Sequence, residues 1–279
     1  MPKDDTTLPR KTDLTVHDEI PKMAVLQGQW DAIEVSLAKF GLGQLEPGLF
    51  NLGVQVKPGT ASFDIIQDSR QAFLSDYSRL SQYHIVFLPC SGSTGTTCDD
   101  LTSGNSTVQQ NIQKFVAAGG KLYVTDYSYD YVRQSFPGYL DWANETSALG
   151  SACLPGSYDA NATVLDQGMK AWLAASGVTS FQVKQSWTVV DNVNPVKTTD
   201  LDGKPTTVTP KVWVQGAVPN YGDKPTTVSF PRACGRVMFS TYHTESGGAT
   251  VSSPLLPQEA ALMYVLLEVG VCVEPTIPQ

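Results

Sequence analysis

Three short stretches of the 279-residue chain carry the side chains able to do chemistry: Pro89-Cys90-Ser91-Gly92, Thr125-Asp126-Tyr127-Ser128 and His243-Thr244-Glu245. His243 is a candidate general base, with Glu245 placed to orient it. Asp126 and Asp130 flank Tyr127 and can join His243 and Glu245 around a cation. Carboxylate oxygens suit hard cations, and a histidine adds affinity for zinc and other transition metals. Ser128 is a candidate nucleophile beside a histidine, although no Gly-x-Ser-x-Gly turn surrounds it. Ser91, Gly92, Tyr127, Tyr129 and His243 are the candidate ligand-binding set. Tyr131, Tyr139 and Trp142 extend the tyrosines into a possible platform for a sugar or a peptide. Plainer readings stand beside these. His243 can be a strand-end histidine satisfied by backbone, Asp130 a carboxylate stabilised by a helix N-terminus, and the aromatics core packing.

These groups need elements to converge them, and the pattern supplies such elements. Residues 111–120 read as an amphipathic helix closed by Gly119-Gly120. The apolar run Lys121–Val124 follows, stops at Thr125 and gives way to a new helical pattern. Helix, Gly-Gly, buried strand, sharp turn and helix form the repeating unit of a parallel α/β sheet. In such sheets ligands gather at the carboxyl ends of the strands. Strands are expected at 23–27, 63–66, 84–88, 121–125 and 235–240. Helices are expected at 30–40, with Trp30, Ile33, Leu37 and Phe40 inward, and at 69–83, 106–118, 166–176 and 259–271. From Phe181 the period changes to two, which predicts antiparallel strands through about residue 230. The expected fold is therefore α/β: a flavodoxin-like three-layer sandwich with a mostly parallel central sheet and an antiparallel β extension. Residues 1–20 read as a disordered tail or linker, and 21–275 as a single domain with a β-rich insertion at about 181–233.

Composition narrows the partners. Net charge is −8, and Lys and Arg form no cluster, which argues against nucleic acid because phosphates call for a basic face. No apolar run reaches the length of a membrane helix. The first βα turn, Gly28-Gln29-Trp30, lacks the dinucleotide fingerprint, and no cofactor is expected. Low charge and richness in Ser, Thr, Gly and Asn suggest export to the periplasm or cell exterior, the chain starting after its signal sequence. Five cysteines match no zinc pattern. A local Cys90–Cys98 disulfide is expected across a short polar loop, and Cys153–Cys234 as a longer-range one.

The three strand ends, in this order and spacing, resemble the class I glutamine amidotransferase-like fold, including its ThuA-like branch. The resemblance spans most of residues 22–272. It implies oxyanion contacts from Pro89-Cys90-Ser91-Gly92 and a catalytic pair at His243 and Glu245. It also places the family's nucleophilic cysteine at Tyr127, a poor nucleophile with an ordinary pKa near ~10. Two functions follow as expectations. The first is a catalytically silent binding or assembly module in an envelope or surface complex, its partner an unknown protein or a small polar ligand. The alternative is a ThuA-like hydrolase or carbohydrate-active enzyme using His243 with Asp126 or Glu245.

Overall fold

A computed structural model of the chain describes residues 20–48, 53–92, 101–199, 203–244 and 249–268. The tail assigned to residues 1–20 lies outside these, apart from Ile20. Nine strands form the main sheet: β1 (Met23–Leu26), β2 (Asp64–Ile66), β3 (Ile85–Leu88), β4 (Lys121–Thr125), β5 (Cys153–Val164), β6 (Gln182–Thr188), β7 (Lys211–Val218), β8 (Gly222–Arg232) and β9 (Gly235–Ser240). Their spatial order is β2-β1-β3-β4-β9-β8-β7-β5-β6. The first five are mutually parallel, and the remaining pairings are antiparallel. The parallel half thus has the doubly wound 2-1-3-4-5 order of flavodoxin-like folds.

The short parallel strands β1 and β3 are apolar throughout because both of their faces are covered. Alternate side chains enter opposite cores. Ala24, Leu26, Val86, Leu88, Leu122 and Val124 pack against α2 (Arg70–Ser75), α4 (Ser106–Ala117) and α5 (Asp130–Ser135) through Phe73, Ile112 and Val132. Met23, Val25, Ile85, Phe87 and Tyr123 pack on the other face. There they meet Ile33 and Leu37 of α1 (Ile33–Leu37), Met169 and Leu173 of α6 (Gln167–Ala175), and Leu262 and Val265 of α7 (Pro257–Glu268). The result is the three-layer α/β/α sandwich with a mostly parallel centre and an antiparallel extension.

Local chemistry explains the departures. The single helix expected over 69–83 is two, α2 and α3 (Tyr77–Leu80), because Asp76 leaves helical geometry and caps the second through the Arg79 N–H. Trp30 is 45% exposed and precedes α1 instead of lining its buried face. Asp166, the first residue of the helix expected over 166–176, is instead the N-cap of α6, and Leu165 before it is exposed. The twelve-residue strand β5 was not anticipated; its exposed and buried positions alternate over only part of its length.

Candidate functional site

The carboxyl ends of β1, β3, β4 and β9 meet on one buried carboxylate that sequence reasoning passed over. Asp31, just after the Gly28 turn, is 1% exposed. Its Oδ2 accepts from Thr125 Oγ1 at 2.7 Å and from Thr244 Oγ1 at 2.9 Å; its Oδ1 accepts from the Thr244 N–H at 2.9 Å. Thr125 Oγ1 in turn accepts from the Cys90 N–H at 2.7 Å. One side chain thereby ties the segments after β1, β3, β4 and β9 into a single frame.

Inside that frame lie Cys90, Asp126 and His243, whose ligand atoms fall within 4.8 Å of one another. Asp126 follows the last residue of β4 at φ +42°, in the left-handed region. That conformation is uncommon for a residue with a Cβ, and aspartate is among the few that tolerate it. The turn aims the Asp126 carboxylate inward. Its Oδ1 accepts from the Trp187 N–H and from Thr188 Oγ1, both at 3.0 Å. Its Oδ2 lies 3.1 Å from His243 Nε2 and 3.9 Å from Cys90 Sγ. His243 Nε2 comes close without an aligned hydrogen bond and is otherwise unpartnered. The other ring nitrogen, Nδ1, meets Gln185 Oε1 at 3.3 Å. Gln185 reaches it from a β-bulge: between the Tyr158–Ser186 and Ala160–Val183 pairs β6 carries an extra residue, and Gln185 has φ +57°.

Burial sets the electrostatics. It pushes the Asp126 carboxyl up, against the pull of His243 and the two donors on Oδ1. Burial disfavours charge on His243, but the Asp126 carboxylate outweighs it and holds the imidazole above its ordinary value. Burial, then the Asp126 charge, pushes the Cys90 thiol well up, so it is held protonated.

Of the proposed cation set the structure brings Asp126 and His243 together. Asp130 is turned away, accepting from Arg133 Nε at 2.5 Å and from the Gly150 N–H at 2.6 Å, which anchors the loop before β5. Glu245 lies outside the described residues. The Ser128 hydroxyl donates to Pro89 O and accepts from Arg70, so it fastens two strand-end loops. Tyr129, Tyr131, Tyr139 and Trp142 are buried in the core, and the Tyr129 hydroxyl accepts from the Ala152 N–H. The aromatic platform therefore reduces to Tyr127, half-buried and tilted against Trp187 at 5.6 Å between ring centroids. Ser91 and Gly92 are half-buried beside Cys90.

Neither expected disulfide is present, because Cys90 and Cys234 are both reduced thiols. Cys90 Sγ faces Asp126 in the site, and Cys98 lies outside the described residues. Cys234 sits in the turn before β9, beside Gly119. Cys153, at the start of β5, is disulfide-bonded, but to neither Cys90 nor Cys234.

No protein-family model matches the chain, and no curated protein matches it. Similar solved structures exist at low identity. A ThuA-like protein of Bacteroides uniformis is 11% identical with a TM-score of 0.47, over 88% of this chain and 89% of that one. A cytoplasmic protein of Salmonella typhimurium is 9% identical with a TM-score of 0.48, over 90% of this chain and 100% of that one. A protein designated a GMP synthase subunit, from Thermoplasma acidophilum, is 10% identical with a TM-score of 0.47, over 90% and 99%. Among the described residues no helix is long and apolar enough to cross a membrane.

Proposed function

We propose that this chain is a binding or assembly module that is silent as an amide hydrolase. One observation carries the reading: the strained turn after β4 presents Asp126, a buried carboxylate whose Oδ1 already accepts two hydrogen bonds, just before the position where covalent chemistry would need a free nucleophile. Tyr127, the next residue, packs on Trp187. Cys90 is close to the histidine, but its thiol is held protonated. What this end of the sheet offers to solvent is a rim of half-buried or exposed groups, Trp30, Ser91, Tyr127, Gln185 and Trp187, suited to a small polar ligand or a protein partner. Low charge and Ser/Thr richness support an exported protein acting in the cell envelope.

The His243–Asp126 approach favours the second reading, a hydrolase in which this pair polarises water. Glutamine, simple amide and ester hydrolysis by wild type and by His243→Ala separate the two. Background rates in both proteins are expected. Turnover that falls with His243→Ala overturns the silent-module reading.

A further inference from the structure

We propose that Cys90 Sγ, Asp126 Oδ2 and His243 Nε2 form a site for a zinc-class divalent transition metal, with water completing the shell. This goes beyond the binding-module reading and does not depend on it.

The donor set is the first argument. Thiolate, imidazole and carboxylate together are the ligands of zinc and its neighbours, whereas magnesium and calcium avoid sulfur. The spacing is the second. Ligand–metal distances of about 2.0–2.3 Å in a tetrahedron put donor atoms about 3.3–3.5 Å apart. The carboxylate–imidazole separation here is 3.1 Å, the carboxylate–thiol separation 3.9 Å, and all three atoms lie within 4.8 Å. Small side-chain rotations close the differences.

The third argument is an unexplained polar atom. His243 is 5% exposed, and its Nε2 has no aligned hydrogen-bond partner. If Nδ1 carries its proton toward Gln185 Oε1, Nε2 presents a lone pair to the carboxylate oxygen 3.1 Å away. Either a proton on Nε2 or a metal ion between the two atoms satisfies this buried pair, and the Cys90 thiol 3.9 Å from the same carboxylate oxygen supplies the third ligand of a metal.

The surroundings are the fourth. Metal-bound histidines usually give their second ring N–H to an oxygen acceptor, as Nδ1 can to Gln185, and ligating carboxylates are themselves hydrogen-bonded, as Oδ1 is by Trp187 and Thr188. The charges balance as well. Binding displaces the Cys90 proton to solvent, and one thiolate, one carboxylate and a neutral imidazole then offset a divalent cation.

The test uses the full chain, stripped with a chelator and dialysed, then given zinc either in the native state or during refolding. Elemental analysis should find close to one zinc per chain. The melting temperature should rise with zinc and not with magnesium. Cobalt loading should give a near-ultraviolet thiolate-to-metal charge-transfer band. Cys90→Ser should abolish that band, and Cys90→Ser and His243→Ala should each weaken zinc binding at least about 10-fold. If either variant fails to fold, the wild-type cobalt spectrum decides alone. Zinc well below stoichiometry in the wild type, a cobalt spectrum without the thiolate band, or affinity unchanged in folded variants overturns the proposal. The site would then be a protonated His243–Asp126 ion pair.

Discussion

Asp31 and Glu34 are one helical turn apart, yet their environments treat a carboxylate oppositely. Asp31 receives three donors from the loops it joins. Glu34 is 8% exposed, and its Oε2 has no partner. Burial raises the Glu34 pKa from 4.5 to about 7, a backbone N–H pulls it back, and the Asp31 charge adds to the rise. A raised carboxyl pKa means that the folded state holds the proton more tightly than the unfolded chain. The stability this contributes is complete below pH 4.5 and is lost as pH climbs through about 7. The gap between the two values corresponds to roughly 3 kcal/mol as an upper limit. Glu34→Gln should therefore match wild type in urea unfolding at pH 4 and exceed it at pH 8 by up to that amount. Equal stabilities at pH 8 would show that the Glu34 charge is solvated. At this scale the sequence was partly legible. Asp126 and His243 stand out because they follow apolar runs that stop abruptly. Asp31 does not, because an aspartate after a glycine turn looks like any helix-entry residue until its partners, 94 and 213 positions away, are brought to it.

The strands of the parallel half could be read almost to the residue, because each is a short apolar run bounded by glycine or by a helical period. Those of the antiparallel half could not. The bulge that carries Gln185 to His243 leaves no mark in the spacing of Gln182–Thr188, and a one-residue shift there inverts which side chains face the site. One turn tests how tightly these elements set the site. At Gly28 a Cβ would stand 2.5 Å from Asp31 O, 2.7 Å from the Pro89 Cβ and 3.0 Å from Cys90 O. No real side chain accepts such distances, so Gly28→Ala must push the end of β1 away from the end of β3. The expected cost is about 1–3 kcal/mol. Gly156→Ala is the control: Gly156 lies at an exposed position of β5 with nothing within 4 Å of its added Cβ, and its effect should stay within about 0.5 kcal/mol. Thermal unfolding of the two variants beside wild type makes the comparison. Similar melting temperatures for both would mean that the strand ends are not rigidly opposed.

Across the whole molecule, two halves with different construction share one sheet. They join side by side where β9 pairs with β8, and they join again where Trp187 and Thr188 of β6 reach Asp126 at the end of β4. The second junction rests on few bonds. Asp126 in the parallel half accepts from the Trp187 N–H and from Thr188 Oγ1 in the antiparallel half, and Gln185 meets His243. Removing the Asp126 carboxylate should therefore free β6 without unfolding the sheet. In Asp126→Ala the Trp187 amide loses its acceptor, and a hydrogen bond to a charged group is worth about 1.5–3 kcal/mol. Amide exchange at residues 186–188 should accordingly quicken by about 10–100-fold. Exchange in β1 and β3, bonded to one another in the parallel half, should stay near wild type. Alanine at φ +42° retains the backbone strain. Asp126→Asn provides the complementary variant, because asparagine tolerates that conformation and keeps an oxygen for the Trp187 N–H. It should leave residues 186–188 protected. If Asp126→Ala accelerates exchange equally in all strands, Asp126 supports the global fold and the halves are not separable units. If it changes nothing at 186–188, the pairing of β5 with β6 holds that segment by itself, and the carboxylate is not the latch between the halves.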